Sequence, residues 1–193
     1  MHEDADTALM LRLQGGEDVA LNELMTKWQK PLVTFIYRYI GNEADALDLA
    51  QETFVRVFES RHRYEAKAKF STWLFTIASN LSRNYIRWKT RHPTVAFESA
   101  DEHDRNPASA ALESNDPSPA EQAEAQDVAA AVKREIHELP HDLRMALLLF
   151  EYEDLSHEEI SRVLRCSAKA VETRLYRARK ILRQALEGMN YAR

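Results

Sequence analysis

One cysteine, four glycines and six prolines in 193 residues leave little material for cross-linked or turn-rich folds. A lone Cys166 excludes an internal disulfide framework and cannot supply a cysteine-rich zinc site. The scarcity of glycine and proline excludes collagen-like and low-complexity chains and argues against a turn-rich all-β fold. No apolar run approaches the roughly 18 residues of a membrane span. Met1-His2-Glu3-Asp4 lacks the basic segment and apolar stretch of an export signal. The expectation is a soluble chain of the reducing cytoplasm, with no membrane insertion of its own. There is no glycine-rich phosphate loop and no nucleophile motif. His137 and His141 stand four apart, but Pro140 breaks the helix that would align them. No metal and no cofactor is expected, and the chain does not read as an enzyme.

What is present is apolar spacing of helical period and charge sorted into blocks. Arg56 to Arg91 carries a net +7, Ile160 to Ala185 another +7, and Phe97 to Asp127 a net −8. An overall charge of −5 therefore hides two basic modules. The acidic stretch holds Pro107, Pro117 and Pro119 among small polar residues and reads as a disordered linker. The organisation expected is all-α: a helical domain over residues 5–95, a linker over 96–125 and a second helical domain over 126–190.

In the first domain Leu21, Leu24, Met25 and Trp28 form an amphipathic stripe, continued past Pro31 by Leu32, Phe35, Ile36 and Tyr39 and closed by Gly41-Asn42. A helix from Glu43 to Ser60 is expected to bury Leu47, Ala50, Phe54 and Val57 and to present Asp45, Asp48, Leu49, Glu52 and Arg56. That acidic face is either plainly solvated or, with Leu49 at its centre, a protein-docking spot. After a loop over 64–70, Ser71 is a plausible helix N-cap. The helix behind it buries Leu74, Ile77, Ala78, Leu81 and Tyr85, and Trp73, Asn80, Asn84 and Arg87 share another face. Amides, arginines and indoles suit single-stranded DNA, whereas the alternative makes Trp73 and Trp88 core residues.

In the second domain Val128, Val132 and Ile136 mark a short helix, and Leu143, Leu147 and Phe150 a second. Ser156 with Glu159 three residues on is a capping box. Arg165-Cys166-Ser167 turns the chain into a helix that buries Val171, Leu175, Ala178 and Leu182 and exposes Lys169, Glu172, Thr173, Arg174, Tyr176, Arg177 and Lys180. This is a helix-turn-helix with a basic second helix, suited to a major groove, though a three-helix bundle without DNA contact shares the pattern. Cys166 reads as a small packing residue of the turn.

Three stretches in register resemble a known family, the sigma factors of bacterial RNA polymerase in their short extracytoplasmic-function (ECF) group. Tyr39 to Phe58 resembles the core-polymerase-binding segment, Phe70 to Arg87 the promoter-melting and minus-ten-reading helix, and Leu155 to Leu182 the minus-thirty-five-reading helix-turn-helix. The resemblance implies that Asp45, Asp48, Leu49, Gln51 and Glu52 dock on the β′ clamp helices of core RNA polymerase. It implies minus-ten contacts from Lys67, Lys69, Phe70, Ser71, Trp73, Asn80, Arg83, Asn84 and Arg87, with a flipped base received by the loop from Tyr64 to Ser71. It implies minus-thirty-five contacts from Ser167, Lys169, Thr173, Arg174, Tyr176, Arg177 and Lys180. Further implied partners are the polymerase β flap, promoter DNA and an anti-sigma factor. The chain departs from a frequent family pattern at Glu172, where an acid would either accept from cytosine N4 or repel phosphates. A stand-alone helix-turn-helix repressor is the competing reading.

Overall fold

The computed structural model describes residues 5–92 and 119–190, which form eight α-helices and no strand. The expected disordered linker lies mostly outside the described residues. Helices α1 (Ala5–Gln14), α2 (Val19–Ile40), α3 (Glu43–Glu59) and α4 (Phe70–Arg91) make the first unit. Helices α5 (Pro119–Glu138), α6 (His141–Glu151), α7 (His157–Leu164) and α8 (Ala168–Asn190) make the second.

In the first unit α2 packs on α1, α3 and α4. Leu24, Leu32, Phe35, Ile36 and Tyr39 are buried along one side of α2, which runs straight through Pro31. The proline sits on the exposed side of the helix, away from the buried stripe. Gly41 ends α2 in the left-handed region (φ 79°), its N–H donating to the Tyr37 carbonyl at 2.8 Å. Asn42 then caps α3, its side chain accepting from the Asp45 N–H at 2.9 Å. Under the 60–69 loop lies an aromatic cluster: Trp28 meets Phe75 edge-on at 5.9 Å, and Tyr64 meets Trp73 at 5.3 Å.

In the second unit the middle of α6, residues 144–149, is buried between its neighbours, and Met145, Ala146, Leu148 and Leu149 are fully enclosed. Helix α5 is longer than the short helix expected, starting at Pro119 inside the stretch read as linker. The α7 capping box is formed in both directions, with Glu159 Oε2 accepting from the Ser156 N–H at 2.8 Å. Burial works to raise the Glu159 carboxyl, and its hydrogen bonds from Ser156 with the charge of Lys69 outweigh it, so its pKa falls below the usual range. Arg165 carries the turn at φ 51°, a left-handed conformation unusual outside glycine.

The two units are packed together, α7 along α4 and α5 and α6 against α2. Arg144, 5% exposed, reaches from α6 to donate to the Tyr39 carbonyl at 2.7 Å. The Arg38 guanidinium lies 3.9 Å from the Tyr152 ring centroid. Beside it Glu153 sits in a cleft shared with Lys30, Pro31 and Thr34 of α2. Burial pushes the Glu153 carboxyl from 4.5 up to about 7, against the pull of Arg38 and with help from Asp154. Between 4.5 and about 7 the folded chain keeps a proton that the unfolded chain releases, so this group's contribution to stability falls as pH rises through that window. After allowance for the solvent that reaches this half-buried group, we expect about 1–2 kcal/mol to be lost. Urea titrations below and above the window should show that fall, and Glu153→Gln should flatten it.

Candidate functional site

Three surfaces of different chemistry stand on this scaffold. The first is the outer side of α3. Ala46, Ala50, Thr53, Phe54 and Val57 face the core, so the expected burial of Leu47 is corrected: it is 40% exposed, and Val55 is 50% exposed. Leu49, expected at the centre of the acidic face, is instead half-buried against the core. The helix phase explains both, because Thr53 rather than Leu47 completes the buried arc. Asp48 and Gln51 are exposed on the same side as Leu47 and Val55. Glu52 joins them, paired with Arg56 at 2.8 Å. Asp45 is turned inward: its carboxylate accepts from the Tyr85 hydroxyl and lies 3.7 Å from Lys89 Nζ on α4. Burial and the Asp45 hydrogen bond raise the Tyr85 pKa. Leu47, expected in the core, and Val55, not singled out by its spacing, form an apolar pair eight residues apart on the face that holds Asp48.

The second surface is α4 with the loop before it. The loop is pinned from behind: Gln14 Nε2 donates to the Arg61 and Tyr64 carbonyls at 2.7 and 2.9 Å, and the Tyr64 hydroxyl donates to the Ala68 carbonyl at 2.9 Å. The helix begins at Phe70 with Lys69 as its N-cap, rather than after Ser71 as expected. Phe70 is fully buried in the aromatic cluster, and that packing draws the helix start inward. Phe70 therefore supports the loop from below, and Ser71 is half-buried beside it. Lys67 projects at the loop tip, paired with Glu65 at 3.2 Å.

Along α4 the spacing puts Lys69, Trp73, Asn80, Arg83, Asn84 and Arg87 on one side. Asn84 and Arg87 are exposed, and Asn80, Arg83 and Trp73 are half-buried. The two tryptophans divide between the readings left open: Trp73 packs on the core with one face covered, while Trp88 is 52% exposed and stacks on His92 at 5.2 Å. The hydroxyls of Thr72, Ser79 and Ser82, also on α4, are buried and have no hydrogen-bond partner among the described residues.

The third surface is the exposed side of α8. Ser167 caps it, its hydroxyl accepting from the Ala170 N–H at 3.1 Å. Val171, Leu175 and Ala178 are buried, and Thr173, Tyr176, Arg177 and Lys180 are exposed in a row. Tyr176, at 68% exposed, is an aromatic ring offered to solvent amid cations. Two members are less free. Lys169 pairs with Glu172 at 2.6 Å, and that pairing lowers the Glu172 pKa. Arg174 is tethered to Asp142 at 3.3 Å and to Cys166 Sγ at 3.6 Å. Cys166 is half-buried in the turn. Among the described residues no group of histidine, cysteine and acid side chains is arranged to hold a metal ion.

An all-helical pair of units ending in a basic helix-turn-helix is the build of a transcription factor, and sequence comparison makes the class specific. Residues 24–92 match the family model of sigma-70 region 2 and residues 129–182 that of sigma-70 region 4. The chain belongs to the sigma-70 family of RNA polymerase sigma factors, and within it to the ECF group. It is 31% identical over 185 residues to the RNA polymerase sigma-H factor of Pseudomonas aeruginosa, covering 96% of this chain and 95% of that one. It is 30% identical over 182 residues to the ECF RNA polymerase sigma-E factor of Haemophilus influenzae, covering 94% and 95%. A solved structure of CnrH in complex with the cytosolic domain of CnrY is 25% identical, with a TM-score of 0.68 over 96% of this chain and 99% of that one.

Proposed function

We propose that this chain directs core RNA polymerase to promoters through the three surfaces in series. The α3 side with Leu47, Asp48, Gln51, Glu52 and Val55 docks on the β′ clamp helices, its exposed apolar pair filling the contact and the acids setting orientation. The α4 side holds the non-template strand of the minus-ten element, Arg83 and Arg87 on phosphates and Asn80 and Asn84 on base edges. The loop over 64–71 receives a flipped base. Unstacking costs a few kcal/mol, which the pinned loop offsets because it is ordered beforehand. The α8 side enters the major groove of the minus-thirty-five duplex, with the second unit seated on the β flap. The chain acts as a binding factor rather than an enzyme, in the cytoplasm where polymerase and promoter meet. An anti-sigma factor is a further partner; the similar CnrH is solved in complex with a protein partner, the cytosolic domain of CnrY.

The observation that carries this reading is the α4 side, where amides, arginines and an indole share one helix face behind a preordered loop. Permanganate footprinting of a promoter with core polymerase tests it. Thymines should become reactive only when the chain is added. The double substitution Asn80→Ala with Asn84→Ala should cut open complexes about tenfold while leaving core affinity unchanged. Tight operator binding without polymerase would favour the repressor reading instead.

On α8 the Lys169–Glu172 pair gives a second prediction. Glu172→Gln removes a negative charge from the DNA-facing side and releases Lys169. Affinity for minus-thirty-five duplex should rise several-fold, and the salt slope of binding should steepen by about one. A loss confined to sites with one particular cytosine would instead make Glu172 a reader of that base.

A further inference from the structure

Two exposed rings stand at the C-terminal end of α4. Trp88 is 52% exposed, whereas the other tryptophans, Trp28 and Trp73, pack against the core. The His92 ring stacks on the Trp88 indole at 5.2 Å, with 26° between the planes. It is held in that place by the helix end. A carbonyl only accepts, so His92 Nδ1 carries a proton and donates it to the Trp88 carbonyl at 3.0 Å, and the His92 backbone N–H donates to the same oxygen at 3.0 Å. Both rings remain open to solvent. Helical rise puts Trp88 about 6 Å beyond Asn84 and about 12 Å beyond Asn80 along the axis. Arg87 and Arg91 are exposed around it. The ion pairs of α4 join Lys69 to Glu159 and Lys89 to Asp45, which leaves Arg83, Arg87 and Arg91 without a carboxylate partner among the described residues.

An indole half open to water adds little to a core, because only its covered part is removed from solvent. Beside cations that no carboxylate neutralises, its flat face suits a nucleobase: the ring extends the stack and the cations meet the phosphates on either side. Resting on the reading of α4 as the minus-ten surface, we propose that Trp88, backed by His92, is a stacking subsite for one further unpaired base of the same strand, next to the bases held at Asn80 and Asn84. Arg87 and Arg91 hold the phosphates that flank this base. His92 is a positioning residue, which fixes the indole plane before the strand arrives and so reduces the ordering cost of binding. The amides meet base edges and choose among bases, whereas a ring face is common to all four, so this subsite adds affinity without sequence choice.

Abasic scanning of a single-stranded minus-ten oligonucleotide, bound to the full-length chain in complex with core polymerase, tests this. Removing one base at a time should reveal, beside the positions coupled to Asn80 and Asn84, one position where the loss is about tenfold whichever base stood there. Trp88→Ala should lose about tenfold on the intact strand and nothing further on the strand abasic at that position, because both changes remove the same stack. Trp88→Phe keeps a ring and should recover most of the affinity. Trp88→Leu, apolar but not flat, should recover little. Core affinity of each variant, expected to be unchanged, reports that the fold is intact. Losses from Trp88→Ala that add to those of every abasic position would overturn the proposal, as would equal recovery by leucine and phenylalanine. Unchanged strand affinity of Trp88→Ala, with Asn80→Ala and Asn84→Ala still weakening the strand, would sink the stacking subsite and leave the minus-ten reading standing. Absence of strand binding by the wild-type complex would sink both.

Discussion

Reversing charge on the outer side of α3, with Asp48→Arg and Glu52→Arg together, is expected to weaken binding to core polymerase by 100-fold or more and to leave the fold intact. Asp48 is exposed, and Glu52 holds only Arg56 of its own helix. The folded chain therefore loses one surface ion pair and gains one like-charge pair four residues apart, each worth about 0.3–0.5 kcal/mol. At an interface the same two changes turn complementary charges into repulsive ones, at about 2 kcal/mol or more each. Titration of labelled core polymerase, with circular dichroism of the variant alongside, separates the two costs. Asp45→Ala is the internal contrast. Its carboxylate is spent on Tyr85 and Lys89 within the first unit, so the loss should appear in thermal stability and only weakly in polymerase affinity. Equal effects of the two variants on polymerase binding would mean that the acids act only as net charge.

The division between Asp48 and Asp45 marks where the sequence stops being legible. Period and capping locate the helices: the α2 stripe survives Pro31 because the proline falls on the solvent side, and the Ser156–Glu159 box starts α7 where the spacing says. The Val171, Leu175, Ala178 ladder of α8 is likewise local information. What spacing does not decide is helix phase when a threonine can stand in for a leucine. Thr53 is buried on α3 with its hydroxyl donating to the Leu49 carbonyl at 2.7 Å, and that leaves Leu47 outside. Nor does it decide whether an acid is free, since the Asp45 partner lies forty residues away on α4. At the start of α5 two local signals oppose each other. Pro119 is a favourable first helical residue, but the acidic polar composition around it argued for linker. The Arg144 contact between the two units left no local trace, because its acceptor across the junction is a backbone carbonyl that carries no residue identity.

Those carbonyls set the second large expected effect. The last four carbonyls of any helix lack partners inside it, and a buried one must be satisfied from elsewhere. Arg144 does this for two helix ends at once. One Nη donates to the Tyr39 carbonyl at the end of α2, and the other to the His137 and Leu139 carbonyls at the end of α5. A guanidinium suits this task because its planar fork directs several donors and because it stays charged; burial lowers its pKa from a starting value high enough to tolerate that. Its positive charge also faces the negative ends of two helix dipoles. Arg144→Ala should therefore cost about 3 kcal/mol or more, since acceptors buried in both units lose their donor. The loss should appear in both units, as earlier unfolding of the α2 end followed by hydrogen exchange at Gly41 and of the α5–α6 turn followed at Leu143. Arg144→Met fills the volume without restoring the donors, so it should recover little of the loss, and a full recovery would show that the arginine acts by packing alone. Arg144→Lys keeps the charge but cannot span both helix ends from one ammonium, and its stability should fall between the two.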